Sequence, residues 1–214
     1  MSRSDRDLED AITLVTQQAR VQGVHLTRTK LVKLLYFVDL GSWERLGSRV
    51  SGVDWIWHHY GPYSGAIVDA CERMAENGEL ELTFTNNYFG SPQVDISSTR
   101  AEYYRRPSSV LVGLVRSVVS DLGQFPPAKI GDLSYDTKPM KALVERGGAR
   151  GDLIEFPEPR PSVEAVHRTA ARYSTVAAKR ARRSDRGDVA AGLREESAAL
   201  SRARKSAGNH VLGE

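Results

Sequence analysis

The sequence predicts a mainly helical α+β domain: about six helices around a central helix at 29–46, a small antiparallel β-hairpin or sheet, and a basic C-terminal extension. Three observations carry this reading. Apolar residues recur at helical spacing in 7–22, 29–46, 63–77 and 108–122. Leu80, Leu82 and Phe84 alternate with polar residues, and Val94 and Ile96 answer them across a loop rich in Asn, Gly and Pro. Beyond residue 160 large apolar residues thin out, and Ala, Arg and Ser take over.

The length of 214 residues suits one domain, placed at 1–160, with an appendage at 161–214. Hydrophobic residues make up 40%, with three Trp, eight Tyr and five Phe, which is enough for a core. The single cysteine, Cys71, excludes an internal disulfide and a cysteine-based zinc cluster, and it fits a reducing compartment. Its place on the apolar side of helix 63–77 points to a buried thiol rather than a nucleophile. No run approaches the ~18 apolar residues of a membrane span. The N-terminal MSRSDRDLED lacks the apolar stretch of a secretory signal. A soluble, cytoplasmic protein with no membrane partner is expected.

The net charge of +3 hides an asymmetry. From Arg160 to the end there are 12 Lys/Arg against 6 Asp/Glu, whereas residues 1–159 hold 18 against 21. A mildly acidic domain argues against gripping nucleic acid over a broad basic face. The run KRARRSDR leaves Lys179, Arg180, Arg182 and Arg183 as candidates for phosphate contact without sequence preference. The plainer alternative is a solvated tail, whose composition buries little surface.

Along the chain, Leu8, Ile12, Val15 and Ala19 define a first helix from Asp7 to about Gln22, and Gly23 is placed to end it. Thr27 or Thr29 can cap the second, from Thr29 to Leu46, whose apolar stripe is wide enough to pack on two sides. Lys30, Lys33 and Asp39 are read as its exposed polar edge. Gly41, Gly47 and Gly52 mark the descent to an aromatic strand, Val53–Tyr60. Gly61 allows a sharp turn, and Pro62 is read as opening the next helix from about Tyr63 to Asn77. A helix from Ser108 to Leu122 ends at Gln124-Phe125-Pro126-Pro127; Ile130, Leu133 and Tyr135 anchor a short segment, and Pro139 starts one more helix. RGGARGD reads as a loop and FPEPRP as a stiff linker, with a weak apolar stripe from Val163 to Val176 beyond it.

Catalytic signatures are missing from this pattern: no phosphate loop, no GxGxxG after a strand, no GxSxG elbow and no zinc motif. His58 and His59 are neighbours on a strand and point to opposite faces, without further ligands at metal spacing. No enzyme activity, cofactor or metal is expected.

The stretch Thr29-Lys30-Leu31-Val32-Lys33-Leu34-Leu35-Tyr36-Phe37, followed by Tyr60-Gly61-Pro62-Tyr63-Ser64, resembles the Panacea (SocA-like) antitoxin domain. The resemblance covers roughly residues 7–145 and leaves the tail unmatched. Tyr63 after the Gly-Pro pair, the doubled histidine and the two tryptophans before it depart from the family pattern. The resemblance implies an antitoxin that neutralises a cognate toxin, made from the same operon, by direct binding. It also implies a second mode, as an adaptor to a cytoplasmic protease. Neither needs a catalytic residue. A stoichiometric binder should present aromatic anchors, and the candidates for partner contact are Tyr36, Trp57, His59, Tyr60, Gly61, Pro62 and Tyr63. The alternative for the aromatics is core packing. A second functional reading is a winged-helix-like DNA-binding regulator, with helix 63–77 entering the groove and the hairpin as the wing; its single Arg73 against Asp69 and Glu72 makes a poor phosphate-facing surface.

Overall fold

The structure of the protein is a computed structural model that describes residues 2–87, 90–100 and 103–156. The extension at 161–214, its expected helix and the four basic candidates at 179–183 lie outside the described residues. Among those described, the order is α1 (Arg3–Val21), α2 (Arg28–Leu46), β1 (Ile56–His58), β2 (Gly61–Tyr63), α3 (Gly65–Glu76), β3 (Leu80–Asn86), β4 (Pro92–Ser98), α4 (Ser109–Leu122), α5 (Pro127–Tyr135) and α6 (Lys138–Glu145). This is the expected mainly helical α+β architecture.

Local chemistry sets the helix boundaries. Ser2 and Asp5 form a capping box at the start of α1, so the helix begins a turn earlier than its apolar periodicity indicates. The Thr27 side chain accepts from the Lys30 N–H at 3.1 Å and caps α2, and Gly47 ends it in the left-handed conformation. Ser108 caps α4, and Pro127 and Pro139 occupy first turns of α5 and α6.

The centre of the core is α2. Leu31, Leu34, Leu35, Tyr36 and Val38 have no exposed surface, and Val32 is buried as well. They pack with Leu8, Ile12 and Val15 of α1, Ile67 and Met74 of α3, and Val115 and Val119 of α4. Gly41 lies within α2 instead of marking its end. A Cβ there would stand 2.7 Å from Leu114 Cδ1, so its missing side chain is what lets α4 approach.

The expected exposed polar edge of α2 is corrected, since its exposed residues are Thr29, Glu44 and Arg45, near the two ends. Lys30, Lys33 and Asp39 are all buried, and each is tied to a different loop. Lys30 Nζ donates to the Gly123 carbonyl at the end of α4, 2.9 Å away. Lys33 Nζ donates to the carbonyls of Tyr60 and Pro62. Asp39, with no exposure, accepts from the backbone N–H of Val50 and of Ser51 and from Trp55 Nε1, each at 2.9 Å, and from the Ser51 hydroxyl. Burial pushes the Asp39 carboxyl up from the ordinary carboxylate range, and the bonds from Ser51, Trp55 and Val50 oppose that rise.

The aromatic segment differs from expectation in two ways. Its strand is short: β1 is only Ile56–His58, because Val53 and Trp55 are already turned into the core under the hold of Asp39. The Gly-Pro pair does not open a helix. Gly61–Tyr63 is β2, paired antiparallel with β1 through Ile56↔Tyr63, Trp57↔Pro62 and His58↔Gly61. His59-Tyr60 is therefore a two-residue hairpin turn, and α3 starts two residues later, behind Ser64. Proline has no N–H to give a ladder, which a two-stranded edge tolerates. The other edge of β1 is covered by the loop after α6: Trp57 N–H donates to the Asp152 carbonyl at 2.9 Å, and Gly151 N–H to the Trp57 carbonyl at 2.7 Å. The second hairpin, β3–β4, runs from Leu80↔Ser98 to Asn86↔Pro92, and Ile96 N–H reaches back to the Leu26 carbonyl at 2.9 Å.

Replacing Asp39 with alanine orphans two backbone N–H groups and the Trp55 indole in a dry site. Urea unfolding of Asp39→Ala is expected to show a loss of about 3–5 kcal/mol. A loss under about 1 kcal/mol would mean that the carboxyl does not hold the 50–55 segment.

Candidate partner-binding site

The His59-Tyr60 turn stands out from the surface on a fixed base. Gly61, at φ +88°, closes the hairpin in a conformation that other residues avoid. A Cβ on Gly61 would also stand 2.7 Å from Ser134 Oγ of α5. The Lys33 ammonium holds the carbonyls on both sides of Gly61, with the Pro62 bond at 2.9 Å. Sequence spacing puts a lysine one turn inside a capped helix; packing then brings that lysine under the turn.

The backbone is pinned while the Tyr60 ring is left outside, 78% exposed. The other rings around it are braced. Trp57 Nε1 donates to the Tyr135 hydroxyl at 3.1 Å, with the two rings edge to face at 6.2 Å. Tyr63 lies against the His58 ring at 5.0 Å, and the His58 and His59 rings meet edge to face at 4.6 Å. Arg150 Nη1 donates to His59 Nδ1 at 3.1 Å.

Tyr60 and Lys33 line two depressions together with Thr29. The smaller, about 240 Å³, is completed by Arg28, Val32 and Tyr63, among others. The larger, about 750 Å³, runs toward Gln93 and Val94 of the β3–β4 hairpin and toward Pro126, Pro127 and Tyr135 of α5.

The structure thus brings Trp57, His59, Tyr60, Gly61, Pro62 and Tyr63 into one hairpin. Only His59 and Tyr60 of these are freely exposed; Trp57 and Tyr63 are half-buried, and Gly61 and Pro62 are buried. Tyr36, also named as a candidate for partner contact, is fully buried. Its hydroxyl bonds Thr137 Oγ1 at 2.8 Å, and its ring meets Trp55 and Phe156 edge to face. It is a core residue, and burial pushes its phenol up to about 12. Cys71 is buried too, its thiol pushed up to about 12 by desolvation, which suits packing and not nucleophilic chemistry. Among the described residues no group of His, Cys, Asp and Glu is placed to hold a metal ion, and no helix is long and apolar enough to cross a membrane.

Sequence reasoning missed Lys33, Thr29 and the α5 wall. Only Lys33 carried a signal: it lies in the part of α2 where the apolar stripe is broadest, Leu31 to Val38.

Burial lowers the Lys33 ammonium from its ordinary 10.5 to about 8. With the folded value below the unfolded one, desolvation of the charge opposes folding in full below pH 8. That opposition fades as pH rises from about 8 to 10.5. Lys33→Met keeps the stem and lacks the charge. Urea unfolding at pH 7 and pH 10 is expected to show the wild type gaining up to about 3 kcal/mol on the variant. A pH-independent difference would mean the amine is hydrated.

Comparison with known proteins adds a family to this geometry. The family model described as "Antitoxin SocA-like, Panacea domain" matches residues 31–139, from the first turns of α2 to the start of α6. No curated protein and no solved structure matches the chain. The matched segment spans just over half of the 214 residues and contains most of α2, the braced hairpin and the α5 wall. By that match the chain belongs to the SocA-like antitoxin family of Panacea-domain proteins.

Proposed function

We propose that the protein is an antitoxin that neutralises a cognate toxin by direct, stoichiometric binding, and that the Tyr60 turn with its two flanking depressions is the surface that meets the partner. Membership of the SocA-like antitoxin family is the observation that carries the reading. Three physical features support the choice of surface. Tyr60 presents a large, amphipathic ring at 78% exposure, the kind of anchor that dominates interface energetics. Its backbone is already held by Lys33 and Gly61, so binding orders little that is not ordered already. The depressions on either side give a partner loop concave surface beside the anchor.

Delivery of the toxin to a cytoplasmic protease is a further mode, in which this surface would hold the cargo and a second surface would meet the protease. The alternative of a DNA-binding regulator gains no support from α3. Its exposed charges are Asp69, Glu72, Arg73 and Glu76, a face with an acidic surplus that repels phosphates.

The reading is tested by expressing the neighbouring reading frame with and without this protein. Growth arrest rescued by co-expression, with co-purification of the two chains, is the expected result; a harmless neighbour, or no rescue, would overturn it. Within that assay Tyr60→Ala is expected to weaken binding by about 2 kcal/mol, some thirtyfold in Kd, with Tm unchanged within about 2 °C. Unchanged affinity would move the interface elsewhere on the domain.

A further inference from the structure

We infer that the antitoxin surface recognises its partner through an acidic side chain, which seats its carboxylate on the Lys33 ammonium beside Tyr60. The inference rests on the antitoxin reading above and names the chemistry of the contact.

Lys33 is 4% exposed, yet no carboxylate among the described residues pairs with it. Its ammonium has three donors; Tyr60 and Pro62 carbonyls take two, and the third has no acceptor among the described residues. The contrast with Asp39 is direct: that buried carboxyl is enclosed by donors and lines neither of these depressions. Lys33 lines both depressions, so this charge, without a carboxylate partner among the described residues, borders the space that a partner's side chain would enter. A buried cation with two neutral acceptors and a spare donor is stabilised by an anion from outside.

Other observations decide which anion. Around Lys33 the charged or titratable side chains facing the depressions are Arg28 and Tyr63 on one side, Asp132 and Tyr135 on the other, with His58, His59 and Tyr60 on the hairpin. Arg28 is engaged with Glu72 at 3.5 Å. The Lys33 ammonium, with one donor left among the described residues and Asp132 on the rim, suits a single carboxylate and not a polyanion such as a nucleic acid strand. The exposed Tyr60 ring and the Pro126-Pro127 wall complete the apolar surround that a protein partner requires. The pKa of about 8 leaves the amine mostly protonated at pH 7, so the charge is available there.

Two experiments with the full-length protein decide it. In the first, backbone NMR shifts are followed during titration with sodium acetate against sodium chloride at equal ionic strength. Saturable shifts confined to Lys33, Tyr60, Gly61 and Tyr63, absent from a folded Lys33→Gln variant, are expected. Absence of saturable shifts, or identical shifts in Lys33→Gln, would overturn the carboxylate seat. Inorganic phosphate binding the same residues more tightly than acetate would overturn the assignment to an acidic side chain. This arm stands even where the antitoxin reading fails. In the second, the neighbouring gene's product is titrated calorimetrically onto the wild type and onto Lys33→Gln and Lys33→Met, with Tm recorded for each. A Kd raised at least about thirtyfold in both variants is expected. The wild-type Kd should also weaken between pH 7 and pH 9, whereas the variants, which keep every other titratable group of the hairpin, lose that dependence. A neighbour that does not bind the wild type at all overturns the antitoxin reading. Equal binding by wild type and variants overturns this inference alone.

Discussion

Three charges buried on one helix govern the structure. Helix α2 is buried along most of its length, and Lys30, Lys33 and Asp39 keep only 7%, 4% and 0% of their surface exposed. A buried charge persists only where hydrogen-bonding partners replace its hydration. Each of the three finds them in the backbone of a different loop: the end of α4, the β1–β2 turn and the 50–55 segment. The cost of burying the charges is thereby converted into order in the loop segments that they hold. The aromatic strand, the hairpin and the α4–α5 corner all hang from α2 by these bonds.

That arrangement explains how the surface acquires a protruding anchor. A two-residue turn carrying an exposed tyrosine would ordinarily be mobile. Here the carbonyls of Tyr60 and Pro62 are gripped from below and Gly61 lies close against α5, so the ring is presented from a rigid base. Rigid presentation lowers the conformational entropy lost on association, a general route to tight binding by a compact interface. The lysine that supplies the grip also lines both depressions, linking the core of the domain to its surface.

Much of this fold was legible in the sequence, because helical periodicity, the caps at Thr27 and Ser108 and the alternation of Leu80, Leu82 and Phe84 are local signals. The central place of α2 was legible from the width of its stripe. The errors arose where local rules met tertiary context. Pro62 fits a first helical turn, yet it lies in β2 because pairing with Trp57 and the clamp from Lys33 fix that backbone as extended. Tyr36 looks like an anchor in sequence, but its hydroxyl finds Thr137, 101 residues further along the chain, and no short-range pattern reports that partner. Lys33 was assigned to the solvent because lysine usually is; the β1–β2 turn and α5 folded over it were the overriding fact. The hairpin residues of the candidate site were grouped in the sequence reading because they are neighbours along the chain. The α5 wall was not, since its proximity arises from folding alone.

The central claim, that buried charges on α2 hold the surface loops in place, is tested most directly by native-state amide hydrogen exchange on the wild type and Lys33→Met. Exchange should accelerate at Trp57, Gly61 and Tyr63 while the amides of α1 and α4 keep their protection. Uniform acceleration across the domain, or no change in the hairpin, would contradict the claim and make Lys33 a core residue without a particular hold on the turn.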